Sequence, residues 1–151
     1  MSHSGRESTL LEVADEIYRA YFALQDIESR QSFCGGRTGR FVMLTIYSAG
    51  SMSVPDLAYR RALSRQRMQQ VVDLLMEEGF LERQANPRHK TSSLMALTRT
   101  GRRKAKTLVR QEKQFFKDRI PWVGQRKIQT CREVLQELRL ELEKERLRNQ
   151  P

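Results

Sequence analysis

Residues 64–79, which read SRQRMQQVVDLLMEEG, decide the fold of this chain. Apolar side chains recur in them at i, i+3, i+4, i+7 and i+8, the spacing of one face of an α-helix. Ser64 is a favourable N-cap residue, and Gly79 is a favourable residue for the C-terminal end. The apolar face consists of Met68, Val71, Val72, Leu75 and Met76, and the first two turns otherwise carry Arg65, Gln66, Arg67, Gln69 and Gln70.

A shorter helix is predicted directly before this one. Residues 53–56, Ser-Val-Pro-Asp, combine a serine cap, a proline in the first turn and an acid near the positive end of the helix dipole. This helix is expected to run to about Ala62. Two helices joined by a tight turn, the second with an apolar back and a polar, basic front, match a helix-turn-helix whose second helix fits the ~12 Å wide major groove of B-DNA.

The segment that follows predicts a β-hairpin. Two short apolar runs within residues 80–98 flank a turn that contains Pro87, and basic side chains cluster on that turn. A basic hairpin placed here is able to reach the adjacent DNA backbone or the minor groove as a wing. The alternative for a basic turn is that it only aids solubility.

The candidate DNA-binding residues lie in the second helix and on the hairpin. Arginine suits a bidentate contact with guanine, glutamine suits adenine or phosphate, and serine at a helix start suits phosphate. The alternative is the solvated polar face of an ordinary surface helix. The candidates are Ser64, Arg65, Gln66, Arg67, Gln69 and Gln70 in the helix and Arg83, Arg88, His89 and Lys90 on the hairpin.

Helices are also predicted on both sides of these elements. The last one has apolar residues in steps of 3 and 4, a seam like that of a coiled coil, which favours dimerisation over packing within one subunit. Its seam consists of Ile128, Cys131, Leu135, Leu138 and Leu142. The predicted helices cover residues 8–32 (capped by Ser8 or Thr9, with Glu12 completing a capping box), 40–49 (stopped by Gly50), a segment from Gly101 (capped by Thr98 or Thr100) and about 124–148 beyond a break at Pro121.

Composition limits the class of protein. The length of 151 residues suits one domain, and the apolar fraction of 38% is below the globular average, a shortfall that a subunit interface can supply. No segment approaches the ~20 apolar residues of a membrane helix. The N-terminus lacks the apolar core of a signal peptide, so the expected location is the cytoplasm, without membrane association.

The charge points to an anionic partner. Lys and Arg number 28 and Asp and Glu 18, a net charge of +10, which favours a nucleic acid or an acidic substrate without choosing between DNA, RNA and an anionic surface. Residues 54–106 carry 12 Lys and Arg and 5 Asp and Glu, a net +7. This concentration predicts that most of the excess lies on the helix-turn-helix and wing, and that the flanking helices are nearly balanced.

Three segments carry a resemblance to a known family. Residues 63–83 resemble the recognition helix and first wing strand of the MarR family of bacterial transcriptional regulators. Residues 94–101, LMALTRTG, look like that family's return strand and its LTxxG start of the following helix, and residues 54–58, VPDLA, are similar to its first helix-turn-helix element. The resemblance implies a homodimer that regulates genes, by repression or occasionally activation, with the helix from Ser64 reading DNA and a wing in the minor groove. Two-fold symmetry then predicts a pseudo-palindromic operator.

The sequence departs from the family pattern at two places. The wing of the family commonly carries an Asp-x-Arg motif, and here His89 and Thr91 occupy those positions. In the first helix-turn-helix element, Arg61 and Ala62 stand where an apolar residue and a glycine are usual. The usual minor-groove contact is therefore not assured, although Arg88 and Lys90 are available as neighbouring substitutes.

Effector sensing is a further expectation from the resemblance, because family ligands often lodge between the dimer helices and the DNA-binding lobe. The alternative for aromatic residues at helical spacing is the core. Cys34, next to Gly35 and Gly36 and near Arg37, is a candidate oxidation sensor with a lowered pKa, the alternative being an ordinary thiol. Cys131 is expected in the core. The candidate ligand-binding residues are Tyr18, Tyr21, Phe22, Phe41 and Tyr47.

No catalytic or metal site is predicted. The two histidines, His3 and His89, have no Cys, Asp or Glu partner at ligand spacing, and the chain holds no Gly-rich phosphate loop. The expectation is a protein that is not an enzyme and that needs no cofactor.

These observations predict a mainly α fold with a small β-hairpin wing. The single domain of residues 1–151 would comprise a winged helix-turn-helix lobe at 37–100 between dimerisation helices at 8–32 and 101–148. The predicted function is a homodimeric, sequence-specific regulator, a repressor in the first instance, that binds double-stranded DNA and responds to a small ligand or oxidant. The alternative is a winged-helix module that binds RNA or a protein partner.

Overall fold

The computed structural model describes residues 3–29, 32–87 and 92–148, and within these ranges the chain is mainly helical with a small antiparallel sheet. This arrangement is a winged helix-turn-helix with helices at both termini. The elements are α1 (His3–Ser29), α2 (Gly36–Ala49), β1 (Ser51–Ser53), α3 (Val54–Arg61), α4 (Arg65–Glu77), β2 (Leu81–Gln84), β3 (Leu94–Leu97), α5 (Arg99–Arg119) and α6 (Gln125–Arg148).

The two helices of the helix-turn-helix begin at their predicted serine caps. The Ser53 Oγ accepts a hydrogen bond from the Asp56 backbone N–H at 3.3 Å, and the Ser64 Oγ accepts one from the Arg67 backbone N–H at 3.2 Å. Each cap satisfies a backbone donor that has no partner within its helix. Gly79, with φ of 70°, follows α4 as predicted.

The sheet has three strands rather than the two of the predicted hairpin. The strand order is β1-β3-β2, and β3 pairs antiparallel with both neighbours. Ser51 lies opposite Ala96, and Leu81 lies opposite Leu97. Sequence reasoning missed β1 because three residues are too few to show the alternation of polar and apolar side chains that marks a strand.

The junction between β3 and α5 fixes where α5 begins. The Thr98 Oγ donates to the Gly79 carbonyl oxygen at 2.6 Å and accepts from the Gly101 backbone N–H at 2.9 Å, so Thr98, not Thr100, caps the helix. A side chain at position 101 would overlap the Phe80 carbonyl. The start of α5 therefore lies directly against the C-terminal end of α4.

One hydrophobic core joins the helix-turn-helix to the sheet and to the first half of α5. Residues from every element between α2 and α5 contribute to it, so the apolar back of α4 is fully covered. The core consists of Val42, Met43, Ile46, Met52, Val54, Leu57, Ala58, Met68, Val71, Val72, Leu75, Leu81, Met95, Leu97, Ala105 and Leu108.

The chain divides into two compact units, Met1–Val109 and Arg110–Pro151. In the first unit, α1 begins at His3 rather than after Ser8 or Thr9, and the Thr9 Oγ donates to the Gly5 carbonyl within the helix, so the predicted capping box is wrong. In the second unit, Cys131 is exposed in the single chain, contrary to its expected place in the core. None of the described helices has the length and apolar character needed to cross a membrane.

The element bounds change where the positive charge lies. Five of the 12 Lys and Arg of residues 54–106 belong to α5, and residues 54–98 alone hold 7 against 5 Asp and Glu, a net +2. Helix α5 carries nine Lys and Arg and two Asp and Glu, a net +7. The expectation that the helix-turn-helix and wing hold most of the excess is therefore wrong, because the fold assigns its last part to α5.

Candidate nucleic-acid interface

The interface is built on α4, whose two faces are chemically distinct. Met68, Val71, Val72 and Leu75 point into the core, which fixes the rotation of the helix about its axis. The opposite face of the first two turns stays accessible to a partner. It carries Ser64, Arg65, Gln66, Arg67 and Gln70, all exposed, with Gln69 half-buried at its edge.

The first turn of α4 also presents backbone donors. Ser64 holds the Arg67 N–H, while its own hydroxyl stays exposed. The remaining N–H groups of the first turn lack partners within the helix and lie at the positive end of its dipole. An anionic oxygen approaching Ser64 therefore meets hydrogen-bond donors and a favourable field together.

Side-chain contacts order the polar face of α4. The Arg67 guanidinium donates to the Gln70 Oε1 at 3.2 Å. The Gln69 Nε2 donates to the Asp73 Oδ1 at 2.7 Å, and the Arg83 guanidinium of β2 lies 4.0 Å from the same oxygen. Asp73 thus links the side chain of α4 to the base of the wing.

Sequence reasoning did not single out Asp73. An acid at this position of an otherwise basic face resembles an ordinary solubilising residue, and its role depends on the approach of β2. A partial signal was present in the spacing, because Gln69 and Asp73 stand four residues apart on one helix and such a pair is able to hydrogen-bond.

A groove of about 420 Å³ lies between the N-terminal half of α4 and the wing. It brings together four of the predicted site residues, Arg65, Gln66, Gln69 and Arg83. Its other lining residues are Val54 and Pro55 at the start of α3 and Ser92, Ser93 and Met95 on the return arm of the wing. The two serine hydroxyls were not predicted as site residues, because serines next to a turn are common in loops.

The tip of the wing falls outside the described residues. Arg88, His89 and Lys90, together with Thr91, belong to the part of the chain that the structure does not describe. Arg83, at the base of the wing, is exposed. The predicted contacts of the tip with DNA stay predictions.

The turn between α3 and α4 accommodates both departures from the expected pattern. Ala62, where a glycine is usual, caps α3 in the left-handed conformation with φ 54° and ψ 44°. Its N–H donates to the Tyr59 carbonyl, which closes the turn. Arg61, where an apolar residue is usual, places its guanidinium 5.2 Å from the centroid of the Phe41 ring, so it covers an aromatic face.

The same region of the chain matches a protein-family model. The MarR family model matches residues 41–90, which run from α2 to the wing. The chain is also 38% identical over 69 residues to an uncharacterized protein of Mycobacterium tuberculosis, a match that covers 46% of this chain and about half, 48%, of the relative's length.

Solved structures share the fold over nearly the whole chain. A MarR family regulator from Neisseria meningitidis has a TM-score of 0.60 at 19% identity, with 99% of this chain and 100% of that one covered. FabT from Streptococcus pneumoniae, solved in complex with DNA, has a TM-score of 0.63 at 15% identity, with 91% and 98% covered. The chain belongs to the MarR family. Its helix α4 and strands β2 and β3 occupy the recognition helix and wing of that family's fold.

The candidate sensing residues of this MarR-family chain fall into two groups. Phe41 and Tyr47 of α2 pack against the core, in line with the alternative for aromatic residues. Tyr18, Tyr21 and Phe22 of α1 are instead exposed in the single chain. Their role in ligand binding stays a prediction.

Cys34 lacks the electrostatic property expected of an oxidation sensor. Burial raises the pKa of its thiol, and the negative charges of Glu78 and Glu77 raise it further. The thiol donates weakly to the Leu74 carbonyl at 3.7 Å, and Arg37 is directed instead to the Gln25 carbonyl. The expected lowered pKa is therefore wrong, since the thiolate is disfavoured here.

Proposed function

We propose that this chain is a sequence-specific regulator of transcription that binds double-stranded DNA as a homodimer and represses by occupying its operator. One observation carries the proposal. The groove between α4 and the wing gathers two arginines and two glutamines above a helix whose opposite face is locked in the core. Arginine and glutamine are the side chains that read guanine and adenine in the major groove.

The two ends of this surface suit different parts of a duplex. Ser64 and the free N–H groups of the first turn of α4 suit a phosphate, which would set the position of the helix. Arg65, Gln66 and Arg67 lie in the next turn, within reach of base edges. Asp73 holds Gln69 and orients Arg83, which supports a surface ordered before DNA arrives.

The dimer is supported by apolar residues that are exposed in the single chain. Helix α1 exposes Leu10, Leu11, Tyr18 and Phe22 by more than half, and α6 exposes Ile128, Val134, Leu135, Leu138, Leu140 and Leu142. Exposed apolar residues of this number mark an interaction surface. Two-fold symmetry would set two α4 helices about 34 Å apart on one face of DNA and require a pseudo-palindromic operator.

Regulation by a small-molecule effector would act through that separation. A ligand that binds one spacing of the two α4 helices more tightly shifts the population toward that spacing and changes operator affinity. The exposed Tyr18, Tyr21 and Phe22 are the proposed contacts for an aromatic effector. The chemistry of the oxidant is not part of the proposal, because the pKa of Cys34 is raised.

The experiment selects preferred sites from random duplexes of about 30 bp, enough for two half-sites, and then compares selected with random DNA in gel shifts. We expect a pseudo-palindromic consensus. Arg67→Ala should reduce the preference for selected over random DNA about 10- to 100-fold, as expected for one lost bidentate base contact.

Arg126→Ala on α6 is the matched control, since it removes the same charge from an exposed helical position outside α4. It should leave the preference unchanged. Equal weakening of selected and random DNA by Arg67→Ala would contradict base reading by this residue. Selection of RNA over duplex DNA from a mixed pool would replace the proposal with the RNA-binding alternative.

A further inference from the structure

The largest concentration of charge in this chain lies outside the proposed reading surface. Helix α5 carries a net +7 of the total +10, whereas α4 is neutral, with Arg65 and Arg67 offset by Asp73 and Glu77. Recognition by α4 and the wing therefore leaves most of the positive charge without a role. The placement of the α5 charges indicates what that role is.

The α5 charges form a stripe. Seven cations, spaced by three or four residues, fall within an arc of about 100° on the helix surface over a rise of about 27 Å. All seven are exposed, and the two acids of α5, Glu112 and Asp118, lie outside the arc. This basic stripe consists of Arg99, Arg102, Arg103 and Lys106, continued by Arg110, Lys113 and Lys117.

The stripe is opposite the face with which α5 enters the core. Gly101, Ala105 and Leu108 are buried, and they hold the rotation of the first half of the helix. Lys104, off the stripe, lies 5.7 Å from the centroid of the Phe33 ring. Across the residues that the structure describes, no stripe cation is within ion-pair distance of a carboxylate.

The beginning of the stripe is distant from the reading surface. Thr98 and Gly101 hold the start of α5 against Gly79 and Phe80, at the C-terminal end of α4. The proposed base-reading residues occupy the N-terminal end, and a helix of 13 residues is about 20 Å long. A duplex segment that receives the start of α4 is therefore not the segment that Arg99–Lys106 would contact.

We propose that the basic stripe is a second, sequence-independent binding site for the phosphodiester backbone of duplex DNA. This inference rests on the proposed function, because the DNA it takes is additional to the segment held by α4. The backbone comes either from the flanks of the same DNA molecule or from a second duplex. In both cases the site would raise affinity without adding sequence preference.

The composition of the stripe favours a duplex over other anionic partners. An interfacial membrane helix inserts large apolar residues from its opposite face, whereas here that face is buried in the core. Single-stranded nucleic acid is held by aromatic stacking, and the stripe contains no aromatic residue. A second copy of the stripe across a dimer axis would be repelled by like charge.

The test measures the affinity of the full chain for random-sequence duplexes as a function of salt. The variant Arg102→Gln/Arg103→Gln/Lys106→Gln removes three stripe charges. The matched control Arg126→Gln/Lys127→Gln/Arg132→Gln removes three exposed charges from α6. Circular dichroism checks that both variants keep the helical fold.

Three lost phosphate contacts should reduce the slope of log affinity against log salt by about 2.7, since each contact contributes about 0.9. Between 50 and 200 mM salt, the affinity of the stripe variant should consequently fall about 40-fold less than that of the unmodified chain. The control variant should change the slope by less than about 0.5. Restoring lysine at positions 102 and 103 should recover most of the slope.

Duplex length distinguishes the two sources of backbone. A second duplex predicts the slope change on duplexes of about 20 bp, whereas flanking DNA predicts it only on duplexes of about 80 bp, which extend well beyond one reading surface. Equal slope changes for the stripe and control variants would overturn the inference. So would loss of binding to phosphatidylglycerol vesicles by the stripe variant with duplex binding intact.

Failure of the proposed function gives a different result. If Arg67→Ala does not affect the preference for selected sites while the stripe variant lowers the salt slope, base reading by α4 fails and the second site stands. If Arg67→Ala lowers the preference and the stripe variant matches its control, only the second site fails. Absence of duplex binding by the unmodified chain overturns both.

Discussion

The turn of the helix-turn-helix contains Ala62 in a backbone conformation that L-amino acids with a Cβ seldom adopt. In the left-handed region, Cβ comes close to the following carbonyl oxygen, at a cost of about 1–2 kcal/mol, which glycine avoids. The turn is kept because the Ala62 and Leu63 N–H groups donate to carbonyls of α3 and because the core holds both flanking helices. Some stability is therefore stored as strain at one residue.

Ala62→Gly should stabilise the fold. Relief of the Cβ contact exceeds the extra flexibility that glycine gives the unfolded chain, and we expect a gain of about 0.5–1 kcal/mol in the free energy of unfolding. Thermal and urea unfolding would measure it. Ala20→Gly, at an exposed position within α1, is the control and should lose about the same amount. A loss at both positions would contradict the strain.

At the scale of elements, the start of α5 shows how a short motif joins three parts of the fold. Thr98 caps α5 and binds the end of α4, while Gly101 allows the helix to contact the Phe80 carbonyl. The Thr-x-x-Gly spacing therefore positions β3, α4 and α5 together. Any side chain at position 101 must push these elements apart.

Gly101→Ala should destabilise the chain by about 2–3 kcal/mol, even though alanine is a better helix former, because the added methyl group overlaps backbone that is fixed by β2 and α4. Unfolding in urea provides the measurement. Gly124→Ala is the matched control, since no atom lies within 4 Å of a Cβ built there, and it should change stability by less than about 0.5 kcal/mol. Similar values for the two variants would show that α5 tolerates displacement.

For the whole molecule, the exposed apolar residues of α6 determine the expected oligomeric state. Sedimentation should give a species of twice 17.7 kDa. Leu138→Lys places a charge in the seam of exposed apolar residues and should shift the protein toward the monomer by at least tenfold in dissociation constant, since a buried unpaired charge costs several kcal/mol. Gln136→Lys, on the other side of α6, should leave the dimer intact. A monomer before any substitution, or equal effects of the two lysines, would contradict this interface.

The distribution of charge also belongs to the whole molecule. Counting along the chain located the excess at residues 54–106, and the fold divides that range between the helix-turn-helix, the wing and the start of α5. The reading surface is thereby left with a few ordered cations, and α5 with an uninterrupted stripe. Specificity and non-specific affinity would then reside on different helices.

Much of the fold follows from the sequence because it depends on residues within about four positions of one another. The caps at Ser53 and Ser64, the apolar back of α4 and the stop at Gly79 were predictable, since hydrogen bonds and side-chain spacing within one helix fix them. The candidate site residues on α4 could be named for the same reason. Their order on the surface could not, because it depends on a neighbouring strand.

What the tertiary structure decided involves residues far apart in the chain. Strand β1 exists because Ser51 pairs with Ala96, Asp73 gains its role when β2 brings Arg83 to it, and the α5 charges become a separate stripe when Gly101 docks on Phe80. Each of these requires closure of a loop, and the free energy for it comes from the shared core rather than from the local sequence. The sequence by itself determined the helix-turn-helix and the residue types on its front face. The packing of the core determined which of those residues meet and where most of the charge lies.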